Sequence, residues 1–152
     1  MNFPPRRVVT GHDAEGRAIV VHDELVDNVT QRRPGHRSFV LWATDQVPAD
    51  NDAIADTDPG VIATRSNASG TIFRIAEYAP GVASARHQTD SVDYAVVLSG
   101  EIDMVLDDQV VRLRRGDTVV QRGTVHDWIN NGAEPCVIVF CLVAARSRAG
   151  VS

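Results

Sequence analysis

Short apolar runs, rich in β-branched residues and separated by turn-forming residues, constrain the fold of this chain more than any other feature. The runs are too short for helices, and Gly, Pro, Asn or Asp residues stand between most of them. Many short strands with closely spaced turns are typical of a β-sandwich or β-barrel. The sequence therefore predicts an all-β fold of antiparallel strands. The predicted strands are 7–10, 17–22, 38–43, 70–77, 85–89, 92–99, 101–106, 110–113, 118–121, 127–129 and 134–143.

Length and composition indicate one ordinary folded domain. The chain has 152 residues, of which 43% are hydrophobic and 23% charged, close to the average of globular proteins. We expect residues 1–65 to supply N-terminal strands and an acidic loop that pack on or extend a barrel formed by residues 66–146. Residues 147–152 would form a flexible tail.

The charge of the chain favours small molecules as partners. The net charge is −5 and aromatic residues make up 5% of the chain, so nothing in the sequence suits nucleic acid or an anionic membrane surface. All fifteen basic residues are arginines. Without lysine, Schiff-base chemistry and a P-loop lysine are excluded.

No segment resembles a signal peptide or a transmembrane span, and we expect a cytoplasmic location. Cys136 and Cys141 lie on one predicted strand, roughly 17 Å apart, which is too far for a disulfide. Both cysteines should pack as small hydrophobic residues.

Two predicted strands, 92–99 and 134–143, are apolar on both faces and therefore need cover on both sides. The cover could come from the N-terminal strands, from a second copy of the chain, or from both, and we expect a homodimer. The acidic stretch between Arg37 and Arg65 does not have the spacing of a calcium loop, so we interpret it as a solvated loop or an active-site lid.

Two histidines and one aspartate stand out because of their spacing and surroundings. His87 and Asp93 are six residues apart, about 20 Å on a straight strand. A turn at Asp90 and Ser91 would place them side by side on neighbouring strands. His126 follows Gly123 at the head of another predicted strand, so all three side chains could point into one barrel.

The stretch from residue 81 to residue 100 resembles the first motif of the cupin superfamily, G-x5-H-x-H-x3,4-E-x6-G. Gly81, His87 and Gly100 fall on the pattern with the correct spacing. Asp93 occupies the glutamate position and Thr89 the position of the second histidine.

The stretch from residue 116 to residue 130 resembles the second cupin motif, G-x5-P-x-G-x2-H-x3-N. Gly123, His126 and Asn130 match, Gln121 stands at the proline position, and the run from Gly116 is one residue shorter. The resemblance covers about a third of the chain and implies the antiparallel double-stranded β-helix, or jelly-roll barrel, of small RmlC-like cupins, here with extra N-terminal strands.

The resemblance implies a divalent metal ion held by His87, Asp93 and His126, the composition of a facial triad with open positions. Nitrogen and oxygen ligands without a thiolate suit Fe(II), Mn, Ni or Zn. Thr89 could add a weak hydroxyl ligand or orient a metal-bound water. The alternative is a cupin that has lost its metal and keeps the histidines as hydrogen-bonded pocket residues.

Parity along the strands predicts the wall of the pocket. Trp128 should share the inward face with His126, and Asp93 should share a face with Ala95 and Val97. The three histidines outside the motifs should be surface or core residues. Candidate substrate-binding residues are Thr89, Gln121, Trp128, Arg86 and Arg122.

Three functions remain open at this point. The first is a metal-dependent enzyme that uses Lewis-acid, redox-neutral chemistry on a small oxygenated organic substrate, by dehydration, decarboxylation, isomerisation or cyclisation. The second is a non-haem Fe(II) dioxygenase with the same three ligands. The third is a non-catalytic barrel that binds a small ligand.

Overall fold

The computed structural model describes residues 3–51 and 69–147, which form strands connected by turns and loops, with no helix. In chain order the strands are β1 (Arg6–His12), β2 (Ala18–Leu25), β3 (Val29–Arg33), β4 (His36–Thr44), β5 (Thr71–Tyr78), β6 (Ser91–Ser99), β7 (Glu101–Val105), β8 (Val110–Arg114), β9 (Thr118–Arg122), β10 (Asp127–Ile129) and β11 (Cys136–Ala144). The prediction of an all-β antiparallel fold is confirmed.

The barrel is formed by two sheets. The larger has the strand order β3-β4-β5-β11-β6-β9 and the smaller has the order β10-β7-β8, while β1 and β2 form a separate hairpin. One core lies between the two sheets: Phe140, Ile138 and Leu142 of β11 pack with Ile102 of β7 and Trp128 of β10. The strands β3 and β4 are part of the larger sheet, so the N-terminal region extends the barrel.

The strand β3 was not predicted because its residues, VTQRR, are mostly polar and do not alternate. The strand forms because Pro34 and Gly35 make a two-residue turn that pairs Arg33 with His36. Gly35 has a φ of 77°, the left-handed conformation that such turns need. The turn chemistry, rather than hydrophobic periodicity, was the signal for this strand.

One further expectation is corrected. The predicted strand at 85–89 is an irregular segment with only one isolated bridge, between His87 and His126. The strands β6 and β7 follow each other in sequence but lie in different sheets. Gly100 makes this crossing possible: its φ is 72°, and a Cβ there would lie 2.5 Å from the carbonyl oxygen of Pro135.

The strands that are apolar on both faces lie at the centre of the larger sheet, where β11 pairs with both β5 and β6. Part of their outer face is covered by the N-terminal region, since Phe3 and Val26 pack against Phe39, Ile75 and Val137. Both cysteines are free thiols, as predicted. Within the described residues no helix is long and apolar enough to span a membrane, and the acidic residues at positions 52–58 lie outside the described part of the chain.

Candidate active site

The centre of the candidate site is a pair of facing histidines, His87 and His126. Their backbones exchange two hydrogen bonds: the His87 amide donates to the His126 carbonyl at 3.1 Å, and the reverse bond measures 2.9 Å. Their ring centroids are 4.4 Å apart. Gly123, whose φ is 58°, lies three residues before His126, in the connection between β9 and β10. We call these two residues the histidine pair.

Backbone carbonyls determine which nitrogen of each ring carries the proton. Nδ1 of His87 lies 2.7 Å from the carbonyl oxygen of Ala85, and Nδ1 of His126 lies 2.9 Å from that of Thr124. A carbonyl oxygen only accepts hydrogen bonds, so each Nδ1 donates and, in a neutral ring, Nε2 carries the lone pair. Burial lowers the pKa of His126, which keeps its ring neutral. Metal-binding histidines typically have their second nitrogen hydrogen-bonded in this way.

Asp93 lies on β6, next to Gln121 of β9, and its carboxyl group is buried. Burial raises its pKa, whereas a hydrogen bond donated by the Ser91 hydroxyl and the charges of Arg74 and the histidine pair act in the opposite direction. The sequence suggested that Asp93 and His87 are neighbours on adjacent strands. This prediction was wrong. His87 pairs with His126 because β6 begins at Ser91 and pairs with β9 and β11.

The donor types of these residues fit a divalent metal, because two neutral imidazole nitrogens and a nearby carboxylate are typical ligands. The carboxylate of Asp93 is engaged by Ser91, however, and among the described residues no three His, Cys, Asp or Glu side chains are gathered closely enough to hold an ion. The two rings of the histidine pair and the Asp93 carboxylate are therefore candidate ligands that are not gathered around one point, although Asp93 is close enough for its charge to act on both rings.

The other predicted site residues have different surroundings. Thr89 lines a cavity beside His87, and its hydroxyl forms a hydrogen bond with that of Ser91 at 2.9 Å. Trp128 is 3% exposed, and its ring meets those of His126 and Phe140 edge-on. The inward orientation expected of Trp128 agrees with this contact.

Gln121 is buried and donates to the carbonyl oxygen of Thr124, the same carbonyl that Nδ1 of His126 contacts. Arg86 lines the cavity but forms an ion pair with Asp107. Arg122 does not line it and alternates with Gln121 along β9, so its side chain belongs to the other face of the sheet.

The cavity beside His87 has a volume of about 190 Å³. The described residues that line it include four arginines and no aspartate or glutamate. Three of these arginines, Arg32, Arg33 and Arg74, were not singled out from the sequence, and neither were His36 and Tyr78. Arg74 was detectable, since it shares the inward face of β5 with Ile72 and Ala76, where a charged residue is rare.

His36 is held neutral in this basic surrounding. Burial, together with the charges of Arg33, Arg74 and Arg32, lowers its pKa to about 4. Its ring meets that of Tyr78 edge-on, with 4.8 Å between the centroids. The sequence-based expectation that His36 is a surface or core residue is therefore incomplete, because it also lines the cavity.

A larger groove of about 780 Å³ lies outside the barrel, between the β1–β2 hairpin and the larger sheet. Trp42 and Phe73 line it, and neither member of the histidine pair does. The chemistry of the site is therefore associated with the smaller cavity.

The fold and the site together define a class: a small antiparallel β-barrel protein with paired histidines next to an interior cavity. The family model described as Cupin domain matches residues 74–143. The chain is 36% identical to the cupin-domain-containing oxidoreductase fogC of Aspergillus ruber, over 90% of this chain and 71% of that protein. The chain belongs to the cupin family.

Two further comparisons extend this finding. The phomopsin biosynthesis cluster protein C' of Diaporthe leptostromiformis is 40% identical, over 83% of this chain and 70% of that protein. The solved cupin domain of Schizosaccharomyces pombe Cnp3 has a TM-score of 0.58 at 13% identity and covers 91% of this chain and 87% of its own. That second likeness shows the fold alone.

Proposed function

We propose that this chain is a metal-dependent cupin enzyme that acts on a small oxygenated organic substrate in the cavity beside His87. The observation that carries the proposal is the tautomer of the histidine pair. Both rings donate through Nδ1 to backbone carbonyls, so both keep a lone pair on Nε2. His87 lines the cavity, and His126 pairs with it across an isolated bridge.

In this proposal His87 and His126 would hold the metal, and Asp93 would supply the carboxylate. A bound divalent ion supplies Lewis acidity and lowers the pKa of bound water. The buried surroundings of Asp93 and His126 strengthen electrostatic interactions because water is excluded. Ser91 and Thr89 form a hydroxyl chain that ends on the carboxylate and can orient it.

The reaction class has two candidates. The name of the relative from Aspergillus ruber, an oxidoreductase, favours redox chemistry such as that of a non-haem Fe(II) dioxygenase. Redox-neutral Lewis-acid chemistry on the same substrate class is the second candidate, because two histidines and a carboxylate support both. The basic cavity suits either candidate.

The test is elemental analysis of untagged protein, comparing wild type with His87→Ala, Asp93→Ala and the control His12→Ala. His12 is exposed at the end of β1 and does not line the cavity. We expect near-stoichiometric iron, manganese, nickel or zinc in the wild type and the control, and loss of the metal in the other two variants. Absence of metal after reconstitution, in protein with an unchanged melting curve, would refute the proposal and leave a ligand-binding barrel.

Oxygen dependence separates the two reaction classes. Reconstituted protein is incubated with a panel of small organic acids, aldehydes and alcohols, with and without oxygen, and products are detected by mass spectrometry. Turnover that requires oxygen and appears only with iron supports the dioxygenase. Turnover that proceeds equally without oxygen supports redox-neutral chemistry.

We also propose that the chain acts as a homodimer. The outer face of the larger sheet carries one cross-strand row, Phe73, Cys141, Tyr94 and Val120, in which Phe73, Tyr94 and Val120 are 43%, 51% and 61% exposed. The β1–β2 hairpin beside it is a two-stranded sheet, which is marginally stable by itself. A second copy would cover both.

Light scattering tests the dimer. Tyr94→Asp should convert a dimer into a monomer, because it places a charge in the middle of the apolar row. The matched control is Val110→Asp, which lies on the smaller sheet and is 64% exposed. A wild-type monomer would contradict the proposal.

A further inference from the structure

Two polar side chains of β4 face the cavity that also contains His87. His36 and Ser38 line this cavity, and Ser38 is only 5% exposed. Val40, two residues further along β4, packs in the main core. Because alternate residues of a strand point to the same face, this face of β4 is directed into the barrel. We call His36 and Ser38 the β4 pair.

The β4 pair has hydrogen-bonding atoms that the described residues leave unsatisfied. His36 Nδ1 and Ser38 Oγ are buried and have no hydrogen-bond partner in the described part of the chain. On the neighbouring strand, Ser38 lies opposite Ala76, whose methyl group cannot form a hydrogen bond. His36 lies opposite Tyr78, and their rings meet edge-on. Leaving a buried polar atom unpaired costs free energy, so such atoms normally face a water or a ligand.

The chemistry of these two atoms restricts the group that can satisfy both. Burial, together with the charges of neighbouring arginines, lowers the pKa of His36 to about 4, so the ring is uncharged at neutral pH. Nδ1 of a neutral ring either donates or accepts a hydrogen bond, depending on the tautomer, and a serine hydroxyl does both. A hydroxyl group also donates and accepts, so it can pair with Ser38 and with either tautomer of His36. A carbonyl or ether oxygen only accepts, and an ammonium group only donates.

We propose that the β4 pair binds a hydroxyl group of the substrate and orients the substrate towards His87. The pair and His87 line the same cavity, whose volume of about 190 Å³ lets one small molecule contact both. Trp128 and Leu142 also line it and supply apolar contacts for a carbon skeleton. The inference rests on the proposed function, because it assigns the substrate of that site to alcohols and phenols.

Trp128 provides the readout, because it lines the cavity whereas Trp42, the other tryptophan of the chain, lines the outer groove. Trp42→Phe protein therefore carries a single tryptophan, beside the cavity. Its fluorescence is titrated with cyclohexanol, methoxycyclohexane and cyclohexanone, using metal-loaded and metal-stripped protein. We expect saturable binding of cyclohexanol in both forms. The ether should bind about tenfold more weakly, because it has no hydrogen to donate and leaves a buried atom unpaired. Ligand-observed NMR with wild-type protein repeats the comparison without the substitution.

Substitution of the β4 pair tests the assignment of residues. Ser38→Ala and His36→Phe should each weaken cyclohexanol binding about fivefold and reduce its advantage over the ether, because one hydrogen bond is lost. Ser38→Ala should not lower the melting temperature, since Oγ has no partner among the described residues. Ser99→Ala is the matched control, because Ser99 is half-buried on β6 and does not line the cavity. It should leave the affinity unchanged, whereas a purely structural role of the pair would change the melting temperature and not the preference for the alcohol.

The outcomes distinguish this inference from the proposed function. If cyclohexanol binding needs the metal and is insensitive to both substitutions, the hydroxyl is a metal ligand, and the inference fails while the proposed function stands. If binding depends on the β4 pair in protein that never retains metal, the inference stands and the metal-dependent function fails. Absence of binding by both methods would mean that the two atoms face water only and would overturn the inference. Tighter binding of cyclohexanone than of cyclohexanol would overturn the assignment to hydroxyl groups.

Discussion

The histidine pair and the two cavity-lining arginines of β3 contribute to the same site but are built in different ways. His126 is buried, and its ring packs against Trp128, which in turn packs against Phe140 in the main core. Arg32 and Arg33 line the cavity but come instead from β3, a strand at the edge of the larger sheet. The first region is part of the packed core, and the second is attached at its margin.

This difference separates residues that contribute mainly to stability from residues that contribute mainly to ligand specificity. Groups that must hold an ion need a rigid backbone and fixed tautomers, which the core supplies. Groups that select a substrate can lie on an edge strand, where substitution costs little stability. We therefore expect variants near the histidine pair to change folding and metal binding together, and variants of Arg32 or Arg33 on the edge strand β3 to change ligand affinity alone.

Trp128→Ala tests whether the region around the histidine pair is part of the packed core. This variant should have the largest effect on the free energy of unfolding. It should lower the free energy of unfolding by about 3–5 kcal/mol, because a buried aromatic ring is replaced by a cavity. Urea denaturation measures the loss. Trp42→Ala, a partly buried tryptophan outside the barrel, is the matched control and should cost clearly less. Equal losses for both tryptophans would contradict the comparison.

His36 should make the free energy of unfolding depend on pH. Its folded-state pKa of about 4 lies below the ordinary value, so the unfolded chain binds this proton more readily. The contribution of His36 is fully present above about pH 6.5 and is lost as the pH falls towards 4, by up to about 3 kcal/mol. Urea denaturation across this range should show a shallower pH dependence for His36→Gln than for wild type. The control is His12→Gln. If the pH dependence of His36→Gln equals that of the control and of wild type, the burial of a neutral His36 ring is refuted.

Asp93→Asn tests the effect of the buried carboxylate next to the histidine pair. The pKa of Asp93 is raised by burial, so the ionised carboxylate is unfavourable in the folded state at neutral pH. The amide should raise the free energy of unfolding while metal binding is lost. Asp103→Asn is the control with the opposite sign, because hydrogen bonds from Arg112 and Asn131 lower the pKa of Asp103, and this variant should be less stable. Thermal denaturation and metal content distinguish the two.

Arg32→Gln should have the smallest effect on stability. The side chain is exposed on an edge strand, so the free energy of unfolding should change by less than about 0.5 kcal/mol. Chemical denaturation checks this value, with Arg115→Gln, in the exposed turn between β8 and β9, as the control. A loss comparable to that of Trp128→Ala would mean that this part of β3 belongs to the packed core.

Much of the barrel was predictable from hydrophobic alternation. The strands β4 to β11 were recognised to within a few residues, because inward residues such as Ala95 and Val97 alternate with outward ones such as Tyr94. The polar edge strand β3 was missed because alternation gave no signal for it. The segment around His87 was interpreted as a regular strand, although it is an irregular segment held by hydrogen bonds to β10.

The sequence by itself determined the class of fold, the family resemblance and the identity of the histidine pair, because these depend on spacing along the chain. Only the tertiary structure decided which nitrogen of each ring is available, since that depends on nearby carbonyls. It also decided that Arg32, Arg33 and Arg74 meet. Arg74 is some forty residues from the other two, and the pairing of β4 with β5 brings them to one cavity. Contacts made by pairing distant strands leave no local pattern in the sequence.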